Sequence, residues 1–209
     1  MSDDDWYRNT EWTPAIESNF FTKLNRSRTQ RDQYLAIQAS ALARVKPEVA
    51  LRLLENYFST RTDQFNDASA YGVRAEAFLA HGYLGGAVEA YKAALQREEE
   101  FPYLQTNARV DLPYLVARKR VDSEFDFALQ VLGDAVKDTN PFPIYHFKIH
   151  AAYALILTAK GKDEEARNHA AQAIEAAQIT KTGLRYHQNL GLVGSDEMSV
   201  VKAIYELGT

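Results

Sequence analysis

The chain has no cysteine. That excludes a disulfide framework, a thiolate zinc site and a thiol nucleophile, and it fits a reducing compartment, so a cytoplasmic protein is expected. Long hydrophobic runs are also missing. The longest strongly apolar stretch, Ala151 to Leu157, lies between His150 and Lys160 and falls well short of the roughly 20 residues that span a bilayer. It reads as a core helix, and no membrane association is expected. Charge of one sign is lacking too: a formal net charge of -4 and a pI near 5.8 leave no basic footprint for nucleic acid or an anionic surface. The opening Met1-Ser2-Asp3-Asp4-Asp5 is acidic where an export signal would be basic and then apolar. No serine sits in a glycine elbow, and there is no dinucleotide fingerprint or carboxylate-rich metal motif. Proline is scarce, six in 209 residues, and mostly stands where a helix could begin.

What is present is helical periodicity. Hydrophobic residues make up 46% of the chain, the content of a packed globular protein, and they recur at three- and four-residue spacing nearly throughout. A first helix is expected from Pro14 to about Asn25, capped by Thr13, with Ile16, Phe20, Phe21 and Leu24 on one face. A second is expected to start at Thr29, whose side chain can accept from the backbone N–H of Asp32. From there the chain repeats itself. Ala50, Ala87, Ala128 and Ala166 each open the second helix of a pair, spaced 37, 41 and 38 residues apart by their numbers. Four residues later come Leu54, Tyr91, Leu132 and Ala170, and seven later Tyr57, Ala94, Ala135 and Ala173. Next to these stand Phe58, Leu95, Val136 and Ile174. Those spacings share one helical face, so each second helix offers a small residue at a close crossing and larger ones to fill the groove.

The pattern resembles the tetratricopeptide repeat. Tyr71, Ala75, Phe78, Gly82, Ala87, Tyr91 and Ala94 fall on the family's signature positions in one copy, and Ala154, Leu157, Gly161, Ala166 and Ala173 in another. The copy from Tyr34 departs from it with Gln38 and Tyr57 where small residues are usual, and the copy around Leu112, Val116 and Ala128 carries Pro113 inside its first helix. The resemblance implies an all-α chain, a short α-solenoid of about four helix pairs in a single domain over residues 1–209. Residues 1–28 would form an N-terminal cap, 29–177 the repeats, and 178–209 a tail and a C-terminal capping helix, Asp196 to Leu207. It also implies a concave groove lined by first helices, here by Asp32, Leu35, Ala39, Ser69, Gly72, Glu76, Leu79, Ala117, Ala151 and Leu155. Family members that grip a terminal carboxylate do so with a lysine and asparagine clamp; the two best-known clamp positions carry Gly72 and Glu76, which argues against that ligand.

Several clusters have the residue types of a site. His146 and His150 have the i, i+4 spacing of a metal pair, but no glutamate stands between them and no third ligand is evident, so they read as one packed and one solvated histidine and no metal is expected. His169 with Glu165 is a weaker case of the same kind. Gly191-Leu192-Val193-Gly194-Ser195 precedes a helix like a phosphate cradle, yet it lacks the lysine and is followed by Asp196-Glu197; it reads as a loop and cap. The runs Glu98-Glu99-Glu100 and Arg118-Lys119-Arg120 read as solvated faces, and Arg185-Tyr186-His187 as an anchor for the tail. The segment Phe101 to Asp111 mixes aromatic and polar groups in the least regular copy, suited either to recognition or to satisfying an exposed helix end.

The function these features predict is a non-catalytic adaptor that binds a protein or peptide, without cofactor. Its partner surface is expected at Glu76, Gln105, Asn107, Arg109, Asp111 and Tyr114, with the tyrosine as aromatic anchor. The alternative is a small-ligand sensor or an enzyme whose pocket lies between the irregular third repeat and the C-terminal tail.

Overall fold

In the computed structural model, which describes residues 5–208, the described residues form ten α-helices and no strand. Met1–Asp4, the acidic start, lie outside the described residues. The chain divides into two compact units, residues 1–108 and 109–209.

In the first unit, α1 (Pro14–Leu24) begins as expected, with Thr13 Oγ1 accepting from the Ile16 N–H at 3.3 Å and proline at the first helical position. α2 (Arg31–Leu42) and α3 (Pro47–Thr60) form one antiparallel pair, α4 (Asp67–Ala80) and α5 (Leu84–Glu100) the next, and α2 also touches α4. Thr29 does not cap α2. The flanking residue is Gln30, one residue later, and its own N–H is taken by Ser27 Oγ at 3.3 Å.

Phe20, Leu24, Leu35, Leu42, Leu54 and Tyr57 are fully or almost fully buried together, with Trp6, Tyr7 and Trp12 packed against them. The two residues that break the repeat pattern here are polar staples. Gln38, fully buried, accepts from the Asn9 N–H at 3.0 Å and donates to the Asn9 carbonyl at 2.8 Å, tying the N-terminal segment to α2. Tyr57 donates its hydroxyl to buried Asp67 at 2.9 Å, and Arg61 lies 2.8 Å from the same carboxylate.

In the second unit, α6 (Ala108–Lys119), α7 (Phe125–Ala135), α8 (Pro143–Ala159) and α9 (Asp163–Gln178) are followed by a long non-helical stretch and α10 (Met198–Gly208). α8 pairs with α9, and α10 packs on both, burying Val200, Val201 and Ile204. The helix expected from Asp196 to Leu207 begins instead at Met198, after a 3-10 turn over Ser195–Glu197.

Ala50, Ala87, Ala128 and Ala166 are each the fourth residue of α3, α5, α7 and α9, and none exceeds 2% exposure. That shared position is what a close helix crossing requires, because any larger side chain would push the partner helix away. Val136, by contrast, is 42% exposed because α7 ends one residue before it. Packing between neighbouring helices is consistent with a helical repeat.

Three helices, α4, α6 and α8, end in the same way. After α4 the Tyr83 N–H reaches back to Phe78 O at 2.8 Å across Gly82 at φ 83, and after α8 the Lys162 N–H reaches Leu157 O at 2.9 Å across Gly161 at φ 73. After α6 the Val121 N–H reaches Val116 O at 3.0 Å, but the left-handed residue is Arg120, at φ 51. Glycine adopts that conformation freely; a residue with a Cβ does so at a cost of roughly 1–2 kcal/mol. Pro113 stays inside α6, giving up one backbone hydrogen bond.

The stretch between α9 and α10 is anchored at Gly191, not at Tyr186. Gly191 O accepts from the Ile144 N–H at 2.8 Å, Gly191 adopts φ 73, and a Cβ there would stand 2.4 Å from the Phe142 ring. Tyr186 is 80% exposed.

Candidate binding cleft

The site begins at the start of α8. Asn140 turns the chain, its Oδ1 accepting from the Phe142 N–H at 2.9 Å, and Pro143 supplies a preset φ at the first helical position. One turn later His146 Nε2 lies 2.6 Å from Asn140 O. A carbonyl can only accept, so Nε2 carries the proton, and in the neutral ring Nδ1 remains an acceptor.

Four residues on, His150 places Nδ1 3.0 Å from His169 Nδ1 on α9, one ring donating and the other accepting. The His169 ring stacks on Tyr153 at 4.3 Å and 11°. Burial first, then the neighbouring His169 and His146, push the His150 pKa down to about 4, so its ring is neutral at pH 7. His169 is lowered as well, by burial, with Glu165 opposing.

On α9, Gln172 and Glu175 follow His169 at successive three-residue steps and so share its face. The antiparallel pairing brings that face opposite the first two turns of α8. Between them lies a cavity of about 250 Å³ lined by Pro141, Pro143, His146, His150, Gln172, Glu175, Ala176 and Ile179. Gln172 donates from Nε2 to Asn168 O at 3.3 Å, which leaves its Oε1 as an acceptor. Glu175 has no ion-pair partner among the described residues. The cleft thus presents a carboxylate and neutral acceptors between walls of proline, alanine and isoleucine.

The residues expected to form the partner surface are placed differently. In the first unit, Glu76 on α4 accepts from Arg44 Nε at 3.0 Å, while Gln105 and Asn107 are exposed between α5 and α6. Thr106 nearby serves the helix end: its Oγ1 accepts from the Ala108 N–H at 3.1 Å, and its own N–H donates to Glu98 at 2.8 Å. Glu98 is 5% exposed and is not a solvated face.

In the second unit, Arg109 lies 3.8 Å from Asp138, and Asp111 accepts from Lys148 Nζ at 2.8 Å. Tyr114 is 3% exposed, its ring edge-on to Phe147 and its hydroxyl donated to Glu197, which Arg118 also approaches at 3.4 Å. Burial and the Glu197 carboxylate raise the Tyr114 hydroxyl far above its ordinary pKa. The tyrosine expected as a surface anchor is a core residue that ties α6 to the turn before α10.

Compared with known proteins, the chain matches no family model, no curated protein and no solved structure. Among the described residues no group of three or more histidine, aspartate or glutamate side chains is arranged to hold a metal ion. No helix among them is long and apolar enough to cross a membrane.

The sequence paired His146 with His150 and His169 with Glu165, and passed over Gln172 and Glu175. A usable signal was there: His169, Gln172 and Glu175 form a polar stripe on a helix whose other face is a run of alanines.

Proposed function

We propose that the chain is a non-catalytic binding module of the tetratricopeptide-like kind, working in the cytoplasm, that holds a segment of a polypeptide partner in the cleft between α8 and α9. The observation that carries this reading is the size and lining of that cleft. At about 250 Å³ it is smaller than the roughly 300–1,000 Å³ of sites that enclose a whole small ligand. It suits one large side chain projecting from a chain that runs across the surface. Both walls are consecutive, mutually packed helices, the kind of rigid support a recognition site needs. The alternative pocket, between the third pair and the tail, gains less support: the tail reaches the cleft only through Ile179, and the opposite wall belongs to the fourth pair.

The test is selection from a displayed peptide library with the purified chain, repeated with a Gln172→Trp variant whose bulky ring would fill the cleft from an exposed position. Peptides enriched by the first and lost by the second are the expected result. No enrichment, together with a metabolite that raises the melting temperature of both proteins equally, would instead favour a small-ligand sensor acting elsewhere.

A further inference from the structure

The cleft has a charge balance of its own. Its one acidic lining residue is Glu175; the other polar groups are the His146 and His150 imidazoles and the Gln172 amide. His146 has given its proton-bearing nitrogen to Asn140 O, so Nδ1 is the nitrogen left with a lone pair. His150 spends Nδ1 on His169, and Nε2 is the nitrogen outside that bond; when Nδ1 donates, Nε2 is an acceptor too. Gln172 gives one of its two Nε2 hydrogens to Asn168 O, and its Oε1 is able to accept. With His150 Nδ1 donating to His169, each of these groups offers an acceptor, and the one acidic side chain among them is Glu175. An anion would meet Glu175 with no cation to offset it, since no arginine or lysine lines the cleft. A neutral apolar side chain would leave the carboxylate and Gln172 Oε1 desolvated and unpaired, at a cost.

Resting on the reading that the cleft receives a polypeptide segment, we propose that the side chain it takes is an arginine: the guanidinium on Glu175, with His146 Nδ1 and Gln172 Oε1 as further acceptors, and the methylene stem between Pro141, Pro143 and Ile179. Arginine is preferred to lysine because the acceptors are dispersed. Guanidinium offers five N–H donors in a planar fork, whereas an ammonium is a compact point charge with three. The apolar walls match the way a long cationic side chain buries its stem while its head stays polar.

The experiment is a titration of the ¹⁵N-labelled full chain with N-acetyl-arginine amide, N-acetyl-lysine amide, the neutral isostere N-acetyl-citrulline amide and N-acetyl-glutamate amide, followed by amide chemical shifts. Arginine amide should perturb amides of 144–150 and 172–179, lysine amide should do so more weakly, and the other two should leave them in place. In Glu175→Gln the arginine affinity should fall about tenfold, the loss of one charge-assisted contact, with the rest of the spectrum unchanged. Citrulline or glutamate binding at the same amides, lysine binding as tightly as arginine, or arginine shifts confined to other regions would each overturn the assignment. The two readings fail separately. Library peptides that bind the cleft without needing arginine would sink this inference and leave the module standing; arginine amide binding in the cleft with no peptide selected would do the reverse.

Discussion

The two units treat their polar interruptions in opposite ways. In the first, Gln38 and Tyr57 stand where a repeat would place small residues, and each closes on an internal partner, Asn9 and Asp67, with every contact buried or half-buried. In the second, the stripe of His169, Gln172 and Glu175 meets His146 and His150 across a cleft that stays open to solvent. Buried polar groups that are fully satisfied rigidify a fold; polar groups left with spare acceptors on a rigid frame have capacity for something outside the chain. The comparison therefore predicts that the closed set governs stability and the open set governs binding.

The largest effect should come from opening the closed set. Asp67→Ala leaves the buried Tyr57 hydroxyl without its acceptor and Arg61 without its partner, and denaturant unfolding of the first unit should show a loss of about 3 kcal/mol. A loss near zero would mean that the staple is ornamental and the comparison false.

Next in size is a pH effect confined to the second unit. The His150 pKa falls from 6.5 to about 4 on folding, so between those values the unfolded chain binds a proton that the folded chain refuses. The stabilising contribution is fully present above about pH 6.5 and is lost as pH falls toward about 4. Solvent screening reduces it to about 2 kcal/mol. Melting followed from pH 7.5 to 4.5 should show the loss, and His150→Leu should flatten that part of the profile.

Smaller still is the turn after α6. Arg120→Gly should stabilise by about 1 kcal/mol, the relief of left-handed strain less the extra freedom glycine gives the unfolded chain. The matching change in the other direction, Gly161→Ala, should destabilise by a similar amount, since nothing crowds its Cβ and only the φ of 73 opposes it.

How far these features could be read from the sequence depends on whether they are local. The four alanines at the fourth residue of each second helix were legible because burial at a crossing constrains size at a fixed spacing. Thr13 was legible because a cap is made within one turn. Thr29 failed because Ser27 and Gln30 offered the same chain a competing turn two residues earlier. Glu98 and Tyr114 were misread because their partners, Thr106 and Glu197, belong to loop geometry that periodicity does not encode. The cleft was illegible for a related reason: it exists only in the register between α8 and α9, where side chains twenty or more residues apart come to face one another.

The measurement that bears most directly on the division between closed and open polar groups is a paired readout on Glu175→Gln: its unfolding free energy, and its affinity for a library-selected peptide. The account predicts stability within about 0.5 kcal/mol of the parent chain and peptide affinity reduced about tenfold. A variant that loses stability while keeping full affinity would show that Glu175 belongs to the fold and that the cleft is not where the partner binds.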